Sequence, residues 1–219
     1  MSFKGVNLSP FLFALYINYL EEYLQRHDVD HLHFCDDYNA ANYLKLLLMM
    51  YADDTVIMSD TEQGLKSAIK ALESYCRKWD LTVNTSKTEV VIFSKKKVKK
   101  DNFNFVKLFN GTNFQISDTF KYLGVVFAAN GSFSKCKKYL YDQANKAMFS
   151  LIKKARYLDL PIHMQLDLFD VSVLPVILYG CEIWGFENTD IVEKLQRKFS
   201  KFILVLKNST PTCILYGEL

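Results

Sequence analysis

Two adjacent carboxylates, Asp53 and Asp54, sit in the tetrapeptide Tyr51-Ala52-Asp53-Asp54. The run Leu44–Met50, apolar except for Lys45, precedes them, and the β-rich Thr55–Ser59 follows. This pattern predicts a hairpin with both acids at its turn. Neighbours on a strand point to opposite faces, but a turn relaxes that rule and can aim both outward. Paired hard oxygens suit Mg²⁺, which keeps several waters and completes its shell with substrate phosphates. In a two-metal arrangement one ion would lower the pKa of an attacking hydroxyl. The other would hold a triphosphate and stabilise the leaving pyrophosphate. The flanking runs are expected to be mostly buried, which makes bare acids there costly without a counter-ion, and Tyr51 can pack under the turn. The same two aspartates also read as plain turn formers, because Asp stabilises turns through bonds to its own backbone.

The elements that must hold this turn are legible around it. Ser9 and Pro10 suit a cap and a first helical position, and a helix is expected to about Arg26, with Phe11, Leu12, Leu15, Tyr19 and Leu20 on its apolar face. Residues 27–41 lose periodicity and read as a polar loop or weak strand pair. After the hairpin, Asp60 or Thr61 caps a second helix whose Leu65, Ala68, Ile69, Leu72, Tyr75, Cys76 and Trp79 recur at three and four. A short strand over 81–83, a turn over 84–88 and a strand over 89–94 are expected next. Asn110-Gly111 marks a two-residue hairpin turn, and residues 120–127 read as a strand around Tyr122-Leu123-Gly124. From Ser132 the pattern becomes helical, over 134–157, 162–174 and 189–206, with Pro161 opening the second segment and Pro175 ending or kinking it. The expected division is an α/β lobe over 1–128 and a helical lobe over 129–219.

Composition narrows the class. Half of the 219 residues are apolar and 15% aromatic, enough to bury a core and incompatible with disorder. The first sixty residues hold three basic and nine acidic side chains; the remaining 159 hold 24 basic and 15 acidic. An acidic end joined to a basic body allows a cation site beside a polyanion-binding surface. Lys95, Lys96, Lys97, Lys99 and Lys100 form the densest basic run, suited to nucleic-acid backbone contacts or simply to a solvated loop. Lys135, Lys137, Lys138, Lys146, Lys153, Lys154 and Arg156 extend the basic character into the helical lobe. The five cysteines are scattered and no CxxC occurs, which disfavours a disulfide framework or a zinc ribbon. His27, His31, His33 and Cys35 cluster, but without a second pair at zinc-finger spacing. No signal peptide and no run of 18–20 apolar residues is evident, so an intracellular protein, nuclear or cytoplasmic and not membrane-bound or secreted, is expected. No P-loop, GxGxxG, GxSxG or HExxH occurs, which disfavours those enzyme classes.

Several stretches, in order, resemble the reverse transcriptase of non-LTR (LINE-like) retrotransposons from mid-palm onward. They are Asn7-Leu8-Ser9-Pro10 with FLFALYIN, then YADDTVIMS, then the helix ending Tyr75-Cys76-Arg77-Lys78-Trp79 with LTVNTSKTEVVIF. Phe120-Lys121-Tyr122-Leu123-Gly124 follows, and then LPVILYGCEIWG with LQRKF. The resemblance implies an α+β fold: a partial right-hand polymerase palm, with an antiparallel sheet and helices, followed by a helical thumb-like and post-thumb lobe. It implies RNA-templated DNA synthesis with Mg²⁺, or Mn²⁺ in its place, on an RNA template and a DNA primer. Asp53 and Asp54 would be metal-ligating and catalytic. Lys87 would reach the incoming triphosphate, and Tyr122, Leu123 and Gly124 would form the primer grip, although Gly124 also reads as a turn or bulge residue. Two departures matter. The family's other catalytic aspartate lies upstream, whereas the nine residues before Pro10 contain no acid, and Lys4-Gly5 stands where the family usually has Gln-Gly. A chain lacking that strand and the fingers is expected to be inactive alone and to self-associate through an exposed palm edge. A non-catalytic nucleic-acid-binding remnant, and a structural or interaction module without chemistry, are the alternatives.

Overall fold

The computed structural model describes residues 9–27, 32–35, 43–46, 48–95, 107–109, 112–185, 190–207 and 209–217. They belong to two compact units, Met1–Val90 with Lys99–Ser117, and Val91–Val98 with Asp118–Leu219. Helices and strand pairs occur in both, so the fold is mixed α/β.

The first unit is organised on helix α3 (Glu62–Lys78). The Thr61 hydroxyl accepts the Gly64 N–H at 2.9 Å, so Thr61 is the cap. Arg77 and Lys78 lie at the negative end of the helix dipole. Two faces of α3 are buried. Ala68, Ala71 and Tyr75 pack with Leu20 and Leu24 of α2 (Leu20–Gln25). Ile69 and Cys76 pack with Phe114 and the half-buried Val83 and Val90. Burial pushes both the Cys76 thiol and the Tyr75 phenol up from their ordinary values; Tyr16 and then Cys76 add smaller contributions at Tyr75. Cys76 is buried against Ile69 and Phe114 and packs as a core residue.

The first expected helix is interrupted. α1 (Ser9–Ile17) stops before Asn18 and Tyr19, and α2 resumes at Leu20. Asn competes for backbone bonds and β-branched Ile17 favours helix weakly, which accounts for a break there. The buried residues are Ile17, Leu20 and Leu24, whereas Leu15 and Tyr19, expected on the apolar face, are exposed.

The strands form only two-stranded pairs among the described residues. Antiparallel pairs are β1 (Leu32–Cys35) with β2 (Tyr43–Leu46), β3 (Leu48–Tyr51) with β4 (Asp54–Ile57), and β6 (Lys107–Phe109) with β7 (Thr112–Asn113). Phe109 pairs with Thr112, and Asn110 and Gly111, expected as a two-residue turn, lie outside the described residues. β5 (Glu89–Val90) pairs in parallel with β8 (Gln115–Ile116). The expected strand over 89–94 is thus only two residues long. Its later residue Ser94 donates instead to the Ala129 carbonyl of the second unit (2.9 Å). Residues 81–83, expected as a strand, carry no ladder.

The second unit is a helical assembly with one hairpin. α4 (Ser134–Tyr157) matches its expected bounds, and its 24 residues span roughly 36 Å. Cys136, Leu140, Ala144, Met148, Leu151, Ile152 and Ala155 form its buried stripe. The C-terminal half packs with Phe169 of α5 (Ile162–Ser172), Ile177 of α6 (Leu174–Ile177), and Leu195 and Phe199 of α8 (Asp190–Ile203). Phe169 and Phe199 stack at 4.3 Å. Pro175 sits in the first turn of α6, so the segment expected as one helix to 174 ends at Ser172 and restarts. The N-terminal half packs with Val125 and with Trp184 of α7 (Cys181–Trp184). α9 (Thr212–Gly217) closes the chain. The hairpin of β9 (Thr119–Tyr122) and β10 (Val125–Ala128) groups with these helices, so the compact units divide near residue 117.

Candidate functional site

The Tyr51-Ala52-Asp53-Asp54 segment is a two-residue hairpin. Tyr51 pairs with Asp54, leaving Ala52 and Asp53 as the central residues. Ala52 takes φ +52°, the positive value that lets a tight turn follow the strand twist. The hairpin is anchored at its far end, where the paired Leu48 and Ile57 pack against the α2–α3 core. Its tip carries Asp53 and Asp54 into solvent. Two expectations are thereby corrected. Tyr51 is 64% exposed and does not pack under the turn, and the acids stand in water, so no burial cost demands a counter-ion. The apolar run continues only partly into burial because a two-stranded pair has one supported face.

Among the described residues no three His, Cys, Asp or Glu side chains gather to hold a metal ion. Asp53 and Asp54 offer two hard-oxygen ligands, and the described residues do not by themselves complete a Mg²⁺ site. Of the His/Cys cluster, His31 lies outside the described residues, while His33 and Cys35 lie two apart on β1. The His27 ring nitrogen Nδ1 is 2.7 Å from the Tyr23 carbonyl, and its ring lies 4.3 Å from that of Tyr23.

Lys87 sits on a turn built by Asn84. The Asn84 carbonyl accepts the N–H groups of Lys87 and Thr88 (both 3.1 Å) and the Thr88 hydroxyl (2.9 Å). The Asn84 side chain accepts the Ser86 hydroxyl at 2.7 Å. The Lys87 side chain is exposed. Of the basic run, Lys95 is exposed; Lys96, Lys97, Lys99 and Lys100 lie outside the described residues.

Tyr122, Leu123 and Gly124 are not mid-strand. Tyr122 pairs with Val125, and Leu123 (φ +47°) and Gly124 (φ +85°) form the turn of the β9–β10 hairpin. Positive φ at both central residues is the type I′ signature, for which Gly in second place is well suited. Sequence reasoning missed the partner of this turn. Tyr179 donates its hydroxyl to the Leu123 carbonyl at 2.7 Å. Its ring covers Gly124 so closely that a Cβ there would come within 2.8 Å of it. The Trp184 indole N–H donates to the Tyr179 carbonyl at 2.9 Å. Gly180, at φ +65°, lies close enough to the Val125 side chain that a Cβ would approach it to 3.0 Å. The available signal was Tyr-Gly preceding a Trp by four and five residues, and it says nothing of a hairpin 56 residues away. Gly124→Ala is expected to cost about 1–3 kcal/mol, from left-handed strain plus the displaced ring, read as a lower urea midpoint.

A basic stripe was legible only as composition. Lys135, Lys138, Lys146, Lys153 and Arg156 recur at helical spacing along one exposed side of α4, with Asp142 and the 47% exposed Phe149 among them. Phe149 lies 4.8 Å from the Lys198 ammonium, and Arg156 lies 4.6 Å from the Phe202 ring. Tyr139 accepts a 2.7 Å bond from Lys121. Among the described residues no helix is long and apolar enough to cross a membrane.

The described residues thus present an exposed acidic turn on a mixed α/β unit and a basic side on a helix of the other unit. Residues 3–127 match the model of the family "Reverse transcriptase (RNA-dependent DNA polymerase)". The chain belongs to that family. It is 25% identical over 179 residues to "Probable RNA-directed DNA polymerase from transposon BS" of Drosophila melanogaster, covering 76% of this chain and 19% of the relative. It is 22% identical over 203 residues to "Probable RNA-directed DNA polymerase from transposon X-element" of the same organism, covering 88% and 20%. The chain thus spans about a fifth of the length of these curated relatives. The likeness is distant and of non-LTR retrotransposon type. No solved structure matches.

Proposed function

We propose that this chain is the late-palm and thumb-like part of a non-LTR retrotransposon RNA-directed DNA polymerase. On its own it holds an RNA template–DNA primer hybrid and does not extend it. The observation that carries this reading is the YADD turn, exposed at the tip of a two-residue hairpin inside the stretch matched by the family. The reaction of the whole enzyme would join the primer 3′-oxygen to the nucleotide α-phosphate and release pyrophosphate. Asp53 and Asp54 would face that centre, Lys87 the triphosphate, and Tyr122–Gly124 the primer end. Lys95–Lys100 and the α4 stripe would neutralise backbone phosphates, giving binding that is sequence-independent and salt-sensitive. The protein would act inside the cell, in nucleus or cytoplasm.

Inactivity in isolation follows from charge. Phosphoryl transfer is driven by preorganised charge stabilisation, and among the described residues the two carboxylates gather no third acidic ligand to supply it. Primer extension on an RNA template with Mg²⁺ is expected to give no product from the folded chain or from Asp53→Ala. Extension by the wild-type chain that disappears in Asp53→Ala would overturn the proposal.

A further inference from the structure

We propose that Tyr179 is a positioning residue that fixes the Tyr122-Leu123-Gly124 turn for contact with the primer end. The inference rests on the primer-grip reading above and adds to it the residue that sets the turn's geometry. Three facts converge. Leu123 holds φ +47° with a branched side chain, a conformation that a leucine leaves unless something fixes it. The Leu123 carbonyl accepts the Tyr179 hydroxyl at 2.7 Å. The Tyr179 ring fills the space over Gly124, leaving no room for a side chain there. Tyr179 is fixed in turn, since its carbonyl receives the buried Trp184 N–H and the next residue, Gly180, takes φ +65° against Val125. The segment 179–184 therefore acts as a clasp on a turn that leucine, a poor type I′ residue, would not hold alone. Its ring remains half exposed, so the clasp lies at the surface where a duplex end can reach the turn.

The test uses the full chain and Tyr179→Phe, which keeps the ring and removes only the hydroxyl. NMR order parameters at Leu123 and Gly124 are expected to fall from about 0.85 to below 0.6. The preference for an RNA–DNA hybrid with a recessed DNA 3′ end over a blunt hybrid is expected to drop about three- to tenfold, the worth of one hydrogen bond. Affinity for the blunt hybrid should not change. Tyr179→Phe combined with Leu123→Asn restores the turn chemistry as Asn-Gly, and is expected to recover the rigidity. A merely structural tyrosine would not be rescued at residue 123. Unchanged order parameters in Tyr179→Phe overturn the clasp. A clasp confirmed by order parameters, in a wild-type chain that shows no preference for the recessed end, overturns the primer-grip role and leaves the binding proposal to its own test.

Discussion

Replacing Lys135, Lys138, Lys146 and Lys153 together by glutamine is expected to flatten the salt dependence of hybrid binding by about 3 to 4 in the slope of log affinity against log salt. Each lysine that meets a phosphate releases about 0.9 of a counter-ion, so four contacts set that change. Between 50 and 200 mM salt the wild-type chain should then lose about a hundredfold more affinity than the variant. The four side chains are exposed and share one side of a single unbroken helix, which spaces them over roughly 27 Å. Glutamine has nearly the helix propensity of lysine, and none of the four is buried, so α4 should keep its fold. Circular dichroism checks that condition, and fluorescence anisotropy with a labelled hybrid reads the slope. An unchanged slope would remove α4 as the phosphate-binding face and direct attention to Lys95–Lys100.

Trp184→Ala is expected to destabilise the second unit by about 3–5 kcal/mol, a large part of the 5–15 kcal/mol typical of a domain. Trp184 is only 1% exposed and packs with Val125, Cys136 and Leu140, so its removal leaves a cavity beneath the hairpin and the start of α4. It also strands the Tyr179 carbonyl, which loses its indole donor. Trp184→Phe retains most of the packing and loses the donor, and is expected to cost about 1–2 kcal/mol. Urea titration followed by far-ultraviolet circular dichroism separates the two. Equal stability of Trp184→Ala and the wild-type chain would show that this cluster does not anchor the unit.

Local signals were reliable where they sufficed. Thr61 caps α3, α4 runs from Ser134 to Tyr157, and Pro175 interrupts the next segment, because caps, periodicity and proline act within a turn or two. Asp53-Asp54 at a hairpin tip was equally legible, since the turn and its flanking runs are contiguous. Burial was not. Tyr51 was expected beneath the turn, yet it is exposed, because what covers a strand face is decided by elements far along the chain. Leu15 fails for the same reason once Asn18 and Tyr19 break the helix.

The Leu123-Gly124 turn separates the two kinds of information. The sequence by itself determined reverse-transcriptase ancestry, the acidic hairpin, the bounds of α4 and the basic character of the second half, all written in residue type and short spacing. Only the tertiary structure decided that residues 120–127 are a hairpin and that Tyr179 seals its turn. It also decided that the lysines of α4 share a side and that Ser94 bonds to Ala129. The Tyr179 and Ser94 bonds join residues tens of positions apart. A leucine at positive φ is unfavourable locally and is held by such a contact, so no reading of neighbouring residues could have assigned it.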